Sequence, residues 1–166
     1  MVMATDKGGH GNFVVEWREG FRTGIREMDA EHRHLFTLVK GLDAGNAQAL
    51  VDELLEYVVT HFTHEQALME HSGYPDFQHH LALHEQLAGQ VSEFLSGGTE
   101  WTEERVQDLR RFLNKWLVGH ILTHDLRFGQ WYFEHSKARA AKPAPVPARP
   151  VRSSWFDRLL GRRHGS

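Results

Sequence analysis

The stretch DFQHHLALHEQ, residues 76–86, places His79, His80 and His84 close together. His80 and His84 are four positions apart, so an α-helix would bring both imidazole rings to the same side. Two interpretations compete for this pair. They are solvated surface histidines, or they hold a metal ion. The remainder of the sequence decides between the two.

The composition limits the chemistry that such a pair can support. The chain has 166 residues, a length that suits one domain with a tail. Thirteen residues are His and none is Cys, so disulfides, thiolate ligands and a cysteine nucleophile are excluded. The chain contains neither a long apolar run nor the apolar core of a signal peptide, and we therefore expect a cytoplasmic protein.

Charge divides the chain into an acidic part and a basic part. Residues 137–166 carry eight Lys or Arg side chains and one acidic side chain. Residues 1–136 carry eleven Lys or Arg side chains and 21 acidic side chains. We therefore expect an acidic folded domain followed by a basic tail. The predicted divisions are a disordered N-terminus over 1–12, the domain over 13–136, an Ala/Pro-rich flexible linker over 137–153 and a short amphipathic basic tail over 154–166.

Four helices are predicted from apolar residues that recur every three or four positions. Residues 13–27 lack such a period and are predicted to form an ordered arm that packs on the domain. The helices are expected at 29–43, at 47–72, from an N-cap at Asp76 to the stop at Gly97, and from Thr102 to about His135. Short breaks between them predict an all-α, up-down-up-down four-helix bundle.

Polar residues occupy positions of the apolar stripes where Leu would be expected. A single buried His is usually a hydrogen-bonded core residue, but burying a charge costs several kcal/mol unless it is paired or bound to metal. Six such residues from four helices favour a metal site in the bundle core, and imidazole with carboxylate suits iron, manganese or zinc. They are His32, His61, Glu65, His80, His84 and His120.

Four segments of the chain resemble the metal-binding segments of hemerythrins, the bacterial single-domain type in particular. They read GIREMDAEHRHLF (24–36), HFTHEQALM (61–69), GYPDFQHHLALH (73–84) and WLVGHILTHD (116–125). Together they form the ordered pattern H…HxxxE…HxxxH…HxxxxD, and the resemblance covers residues 13–135. It implies a hemerythrin-like bundle with two oxo- or hydroxo-bridged iron ions that bind dioxygen reversibly, for storage, delivery or sensing.

The resemblance also implies a set of metal ligands, residue by residue. Glu65 and Asp125 would bridge the two irons. One iron would take the HxxxH pair and the last His, and the other would take His32 and His61. Counting the bridges leaves one open position on the iron held by His32 and His61, where dioxygen can bind. The implied ligands are His32, His61, Glu65, His80, His84, His120 and Asp125.

The last ligand is not settled by spacing. His120 and Asp125 are five positions apart, about 140° around an ideal α-helix, and His124 would align better. The residues alone do not decide whether His124 or Asp125 is the ligand, and the resemblance favours Asp125. Asp125 can then reach the site only through a local widening of the helix within 119–125 or by reaching round it. Gln66 stands where the family often has a second Glu, and we expect it not to bind metal.

An apolar oxygen pocket around the last histidine is also implied, formed by Trp116, Leu117 and Ile121. The same three residues are equally consistent with ordinary bundle core. The other histidines of the predicted helices fall outside the apolar stripes, and we expect them at the surface, with His64 and His79 as candidates to contact a ligand. These surface positions are His34, His64, His71, His79 and His135.

The tail at 154–166 has two interpretations. It is a solvated end, or it is a tethered basic helix that docks on a protein partner or on an anionic membrane surface, which would make the protein peripheral to the inner membrane. Nucleic acid is not expected, because the folded domain is acidic.

Oxygen binding without enzymatic turnover is the predicted function. Two alternatives stay open. One is an oxygen- or redox-sensing signalling module that acts through the basic tail. The other is a di-iron peroxidase or nitric-oxide-handling protein.

Overall fold

The computed structural model describes residues 13–139, which form a four-helix bundle preceded by an extended arm. The arm contains one 3₁₀ turn, Glu19–Phe21, and no strand occurs within 13–139. The fourth helix of the bundle is continuous but has three parts: α4, a π-helical turn and α5. The elements are α1 (Arg26–Gly41), α2 (Ala47–Ser72), α3 (Phe77–Ser96), α4 (Glu103–His120), the π turn (Ile121–Asp125) and α5 (Leu126–Arg139).

The predicted all-α bundle is confirmed, and most helix ends lie where the sequence signals place them. Helix α2 occupies its predicted residues and ends at Gly73, whose φ of 69° is left-handed. Thr102 caps α4, because its side chain accepts a hydrogen bond from the backbone N–H of Arg105. Asp76 is the N-cap of α3, but its side chain makes no capping hydrogen bond.

Helix α1 begins earlier than predicted, at Arg26 instead of residue 29. Asp29, in the first turn of this helix, is buried and binds the end of the arm. Its carboxylate accepts hydrogen bonds from the backbone N–H of Thr23 at 2.7 Å, from the Thr23 hydroxyl at 2.9 Å and from the Gly24 N–H at 3.1 Å. The arm is therefore fixed to α1, as expected of an ordered arm.

The apolar core consists of two clusters. The larger one fills most of the bundle and includes Phe36, Phe62 and Leu117. The smaller one lies at the other end and contains Ile25, Met28, Met69, Tyr74 and Phe128. Along α1, α2 and the fourth helix, the buried histidines, Glu65 and Asp125 come between members of the larger cluster and members of the smaller one. The polar centre therefore has apolar packing on both sides.

Within 13–139, no helix is both long enough and apolar enough to cross a membrane. Helix α5 continues to Arg139, past the predicted end near His135 and into the first residues of the predicted linker. The predicted N-terminal segment 1–12, the rest of the linker (140–153) and the basic tail 154–166 lie outside the described residues.

Candidate metal centre

Seven polar side chains meet in the interior of the bundle. None of them is more than 6% exposed, and every helix of the bundle contributes at least one. Helix α1 supplies one, α2 and α3 supply two each, and the fourth helix supplies two, one at the end of α4 and one at the end of the π turn. They are His32, His61, Glu65, His80, His84, His120 and Asp125.

The potential ligand atoms fall into two groups that share one residue. Glu65, His80, His84 and His120 form the first group, and His32, His61 and Glu65 form the second, each with ligand atoms within 4.8 Å of one another. In the first group, Oε2 of Glu65 lies 3.1 Å from Nε2 of His80 and 3.2 Å from Nε2 of His84. Because Glu65 belongs to both groups, the two positions adjoin.

Asp125 also reaches both groups. Its Oδ2 lies 3.2 Å from Nε2 of His32, and its Oδ1 lies 3.1 Å from Nε2 of His120. This placement depends on the π turn, in which the N–H of Leu126 bonds to the carbonyl of Ile121, five residues earlier. The widening considered from the sequence is therefore present. His124 is only partly buried and belongs to neither group.

Several buried polar atoms of the centre make no hydrogen bond. Both ring nitrogens of His32, Oε1 of Glu65 and both carboxylate oxygens of Asp125 lack a hydrogen-bond partner. Leaving such atoms unsatisfied is costly, and it is rare in folded proteins. The close but misaligned approach of His32 and Asp125 is the arrangement expected of ligand atoms directed at a shared ion. The donor set, five imidazoles and two carboxylates, suits iron, manganese or zinc.

The electrostatics of the centre favour a bound cation. Burial opposes ionisation of Glu65, but His80 and His84 outweigh it and hold the pKa of this carboxyl well below its ordinary value. Burial also opposes ionisation of Asp125, as does Glu65, yet nearby imidazoles lower its pKa. Burial acts in the opposite direction on the imidazoles and lowers the pKa of His32 and His80. Asp125 beside His32 and Glu65 beside His80 outweigh burial and raise the pKa of each ring above its ordinary value. Protons and metal ions therefore compete for the space between these groups.

His84 is the clearest neutral ligand candidate. Burial lowers the pKa of its imidazole to about 3, so the ring carries a free lone pair at neutral pH. Its ring stacks on Phe62, with centroids 3.5 Å apart and planes 3° apart. His120 stacks in the same way on Trp116, with centroids 4.3 Å apart. Aromatic faces therefore shield the first group of ligands from water.

The residues predicted to form an apolar pocket lie beside this shield. Leu117 and Ile121 are buried, and Trp116 is partly buried against His120. A separate apolar cavity of about 30 Å³ lies between α2, α3 and α4 and is bordered by Phe62. Only apolar side chains line it, so we expect it to be dry although its volume could hold a water molecule.

Two residues beside the centre, Glu31 and Gln66, make contacts with ligand histidines that the sequence did not predict. Oε2 of Glu31 accepts a hydrogen bond from Nδ1 of His61 at 2.7 Å, and its Oε1 accepts one from Nδ1 of His64 at 2.6 Å. The side-chain nitrogen of Gln66 lies 3.2 Å from Nδ1 of His84. These contacts join different helices, and local periodicity gives no signal for them.

The ionisation state of Glu31 follows from these contacts. Burial opposes its ionisation, but His61 and His64 lower its pKa overall. The histidines predicted at the surface, His34, His64, His71, His79 and His135, are all exposed. Of these, His64 reaches the centre indirectly through Glu31.

A four-helix bundle that buries five imidazoles and two carboxylates in two adjoining groups defines a class: non-haem, metal-binding helical bundles. Comparison with known proteins gives the family within that class. The family model described as "Hemerythrin HHE cation binding domain" matches residues 23–132. The chain belongs to the hemerythrin family, whose members are non-haem iron proteins that bind oxygen.

Individual relatives include both bacterial and animal hemerythrins. A bacteriohemerythrin of Stenotrophomonas maltophilia is 28% identical over 92% of this chain and 99% of its own length. A bacteriohemerythrin of Methylococcus capsulatus is 34% identical over 66% of this chain and 88% of its own. The hemerythrin subunit alpha of Lingula anatina is 33% identical over 68% of this chain and 90% of its own length. The near-complete match to the first of these supports the bacterial type.

Proposed function

We propose that this protein binds dioxygen reversibly at a centre of two iron ions. His80, His84 and His120 would hold one ion, and His32 and His61 would hold the other. Both carboxylates, Glu65 and Asp125, would bridge the pair. When bound, the two irons would supply the pair of electrons that reversible dioxygen binding takes up and returns.

The observation that carries this proposal is the sharing of both carboxylates between the two groups. Glu65 belongs to both sets of ligand atoms, and Asp125 directs one oxygen toward His32 and the other toward His120. A site for a single ion would not need two carboxylates that each face histidines on two sides. The arrangement therefore supports a pair of ions over a single one.

The unequal number of imidazoles supports binding of a small molecule. The first group has three histidines and the second has two. Because both groups share the same carboxylates, the ion held by His32 and His61 would have one ligand fewer and could accept an external molecule. With five neutral imidazoles and only two carboxylates, the site is less negative than a carboxylate-rich one. This charge favours reversible binding over oxidation of an organic substrate.

The apolar surroundings support reversibility. Phe62 and Trp116 stack on ligand histidines, and Leu117 and Ile121 are buried nearby. Excluding water from the centre limits proton delivery, which would otherwise release the bound molecule in reduced form. We propose storage or delivery of oxygen as the role. Sensing through the basic tail is the alternative, and it would need the residues beyond 139.

The first experiment is metal analysis of the purified protein, followed by anaerobic reduction and optical spectroscopy. We expect about two irons per chain and a visible charge-transfer band that forms with oxygen and disappears on purging. The variant Glu65→Ala should lose iron from both positions, because Glu65 is the shared residue. As a matched control, His71→Ala removes an exposed histidine of the same helix and should keep both the iron and the band.

Three results would contradict the proposal. Iron that is oxidised by air without a band that reverses on purging would favour the redox-sensing or enzymatic alternatives. Repeated turnover of peroxide by the loaded protein would favour a peroxidase. Absence of iron after reconstitution would refute the di-iron centre itself.

A further inference from the structure

The ligand histidines differ in what their second nitrogen contacts. When Nε2 of an imidazole binds a metal, the proton lies on Nδ1 and needs an acceptor. His61, in the two-histidine group, has a carboxylate at this place, and His84, in the three-histidine group, has an amide. The two groups therefore differ in their outer contacts as well as in their number of imidazoles.

The contact of His61 is a short hydrogen bond to a carboxylate. Nδ1 of His61 lies 2.7 Å from Oε2 of Glu31, and the Glu31 side chain is only 15% exposed. The other oxygen of Glu31 accepts a hydrogen bond from His64, which fixes the orientation of the carboxylate. A charged acceptor draws the Nδ1 proton toward itself, which makes the imidazole more basic and a stronger electron donor at Nε2.

The contact of His84 is to a neutral amide. Nε2 of His84 faces Glu65 and His120, so Nδ1 is the nitrogen that carries the proton when Nε2 binds an ion. The side-chain amide of Gln66 lies at Nδ1, and a half-turn of that amide presents its oxygen as the acceptor. A neutral amide oxygen polarises the imidazole less than a carboxylate does.

We propose that Glu31 and Gln66 are positioning residues that make the imidazoles on the two irons differ in electron donation. Nδ1 of His61 donates to a carboxylate, whereas Nδ1 of His84 donates to an amide oxygen. The inference rests on the proposed di-iron function. Glu31 stabilises the oxidised state of the iron that accepts the external molecule. Gln66 holds His84 in place without adding this electron donation. The outer contacts would thereby make the open iron the easier of the two to oxidise.

The test exchanges carboxylate and amide at each position without changing side-chain size. Glu31→Gln should raise the midpoint potential of the loaded protein, because the oxidised state loses its charged partner. Gln66→Glu should lower it, because His84 gains one. We expect each exchange to change the ratio of oxidised to reduced protein at a fixed potential by about tenfold, which corresponds to ~59 mV for one electron.

A second readout separates electronic from structural effects. In the reduced, iron-loaded protein, the exchangeable Nδ1 protons of bound imidazoles give separate paramagnetically shifted NMR signals. Glu31→Gln should move one of these signals and Gln66→Glu should move a different one. A loss of packing alone would move neither selectively and would not shift the potential in opposite directions.

Matched controls make the same exchanges on the exposed helix surface. Glu53→Gln on α2 and Gln90→Glu on α3 change net charge equally but lie at exposed positions. Equal shifts in these controls, or unchanged potentials in both test variants, would overturn the inference. If Glu31→Gln loses its iron, the midpoint potential of Gln66→Glu tests the inference by itself. A lower potential supports it, and an unchanged or higher potential overturns it. Failure of the unaltered protein to load iron would instead contradict the proposed function.

Discussion

Oδ1 of Asp125 lies 3.1 Å from Nε2 of His120, although the two residues are five positions apart on one continuous helix. In an ideal α-helix they would be about 140° apart, and the carboxylate would point away from the imidazole. The π turn over Ile121–Asp125 adds one residue to a single turn and returns Asp125 to the side of His120. The seventh polar residue of the centre therefore depends on a local backbone irregularity.

This relationship predicts opposite outcomes for removing and adding one residue. Deleting Thr123, which is exposed, would leave an ordinary α-helix with the aspartate four positions after His120, on nearly the same side. We expect this variant to keep its iron. Inserting Ala after Thr123 would move the aspartate to six positions after His120 and rotate α5, and we expect loss of iron. Metal content per chain measures both.

An insertion in a loop is the control for these variants. One Ala added after Gly98, between α3 and α4, leaves both helices intact and should preserve the iron. Loss of iron on deletion of Thr123 would show that the π turn does more than align Asp125.

Removing the metal should destabilise the protein strongly. Without ions, the bundle buries five imidazoles and two carboxylates, and several of their atoms lack hydrogen-bond partners. A ligand present at about 100 times its Kd adds about 2.7 kcal/mol to the free energy of unfolding. We therefore expect Tm to fall by about 5 °C or more on chelation. Calorimetry of loaded, stripped and reloaded protein measures this, and an unchanged Tm would contradict a metal-filled core.

Asp29 should contribute more stability than its place near a helix end suggests. Its buried carboxylate accepts three hydrogen bonds from Thr23 and Gly24 and fixes the arm. Asp29→Ala would leave buried donors without partners, and we expect it to lower the free energy of unfolding by about 2–4 kcal/mol. Urea denaturation of the iron-loaded protein measures the change.

Asp43 provides the comparison for Asp29. Its carboxylate also accepts backbone hydrogen bonds, from Gly45 and Asn46, but at the surface. Asp43→Ala should therefore cost only about 1 kcal/mol. Equal losses for the two variants would show that burial does not set the strength of the Asp29 contacts.

Two helical glycines should respond to alanine in opposite ways. A Cβ on Gly129 would collide with the carbonyl oxygen of Thr23, so the arm would have to move away from α5. We expect Gly129→Ala to destabilise the protein by about 2 kcal/mol or more. Gly89 lies exposed in α3 with open space around it, and Gly89→Ala should stabilise by about 0.5–1 kcal/mol. Thermal unfolding of both variants, compared with the unaltered chain, gives the signs directly.

Local sequence pattern determined a large part of this molecule. The extent of α2, the start of α4 at its cap Thr102 and the burial of the polar stripe residues all follow from local sequence signals along single helices. These buried residues are His32, His61, Glu65, His80, His84 and His120. Such spacing is a property of each segment by itself, because an amphipathic helix must bury one side wherever it packs. The bundle and the buried polar positions were therefore predictable.

The tertiary structure alone decided which further residues meet at the centre. The spacing did not decide whether His124 or Asp125 joins the centre, and the π turn brings Asp125 inward. Glu31 contacts His61 on the neighbouring helix, and Gln66 contacts His84 across another helix pair. These contacts join residues 30 and 18 positions apart. Local periodicity cannot encode them, because they depend on how two helices are set against each other.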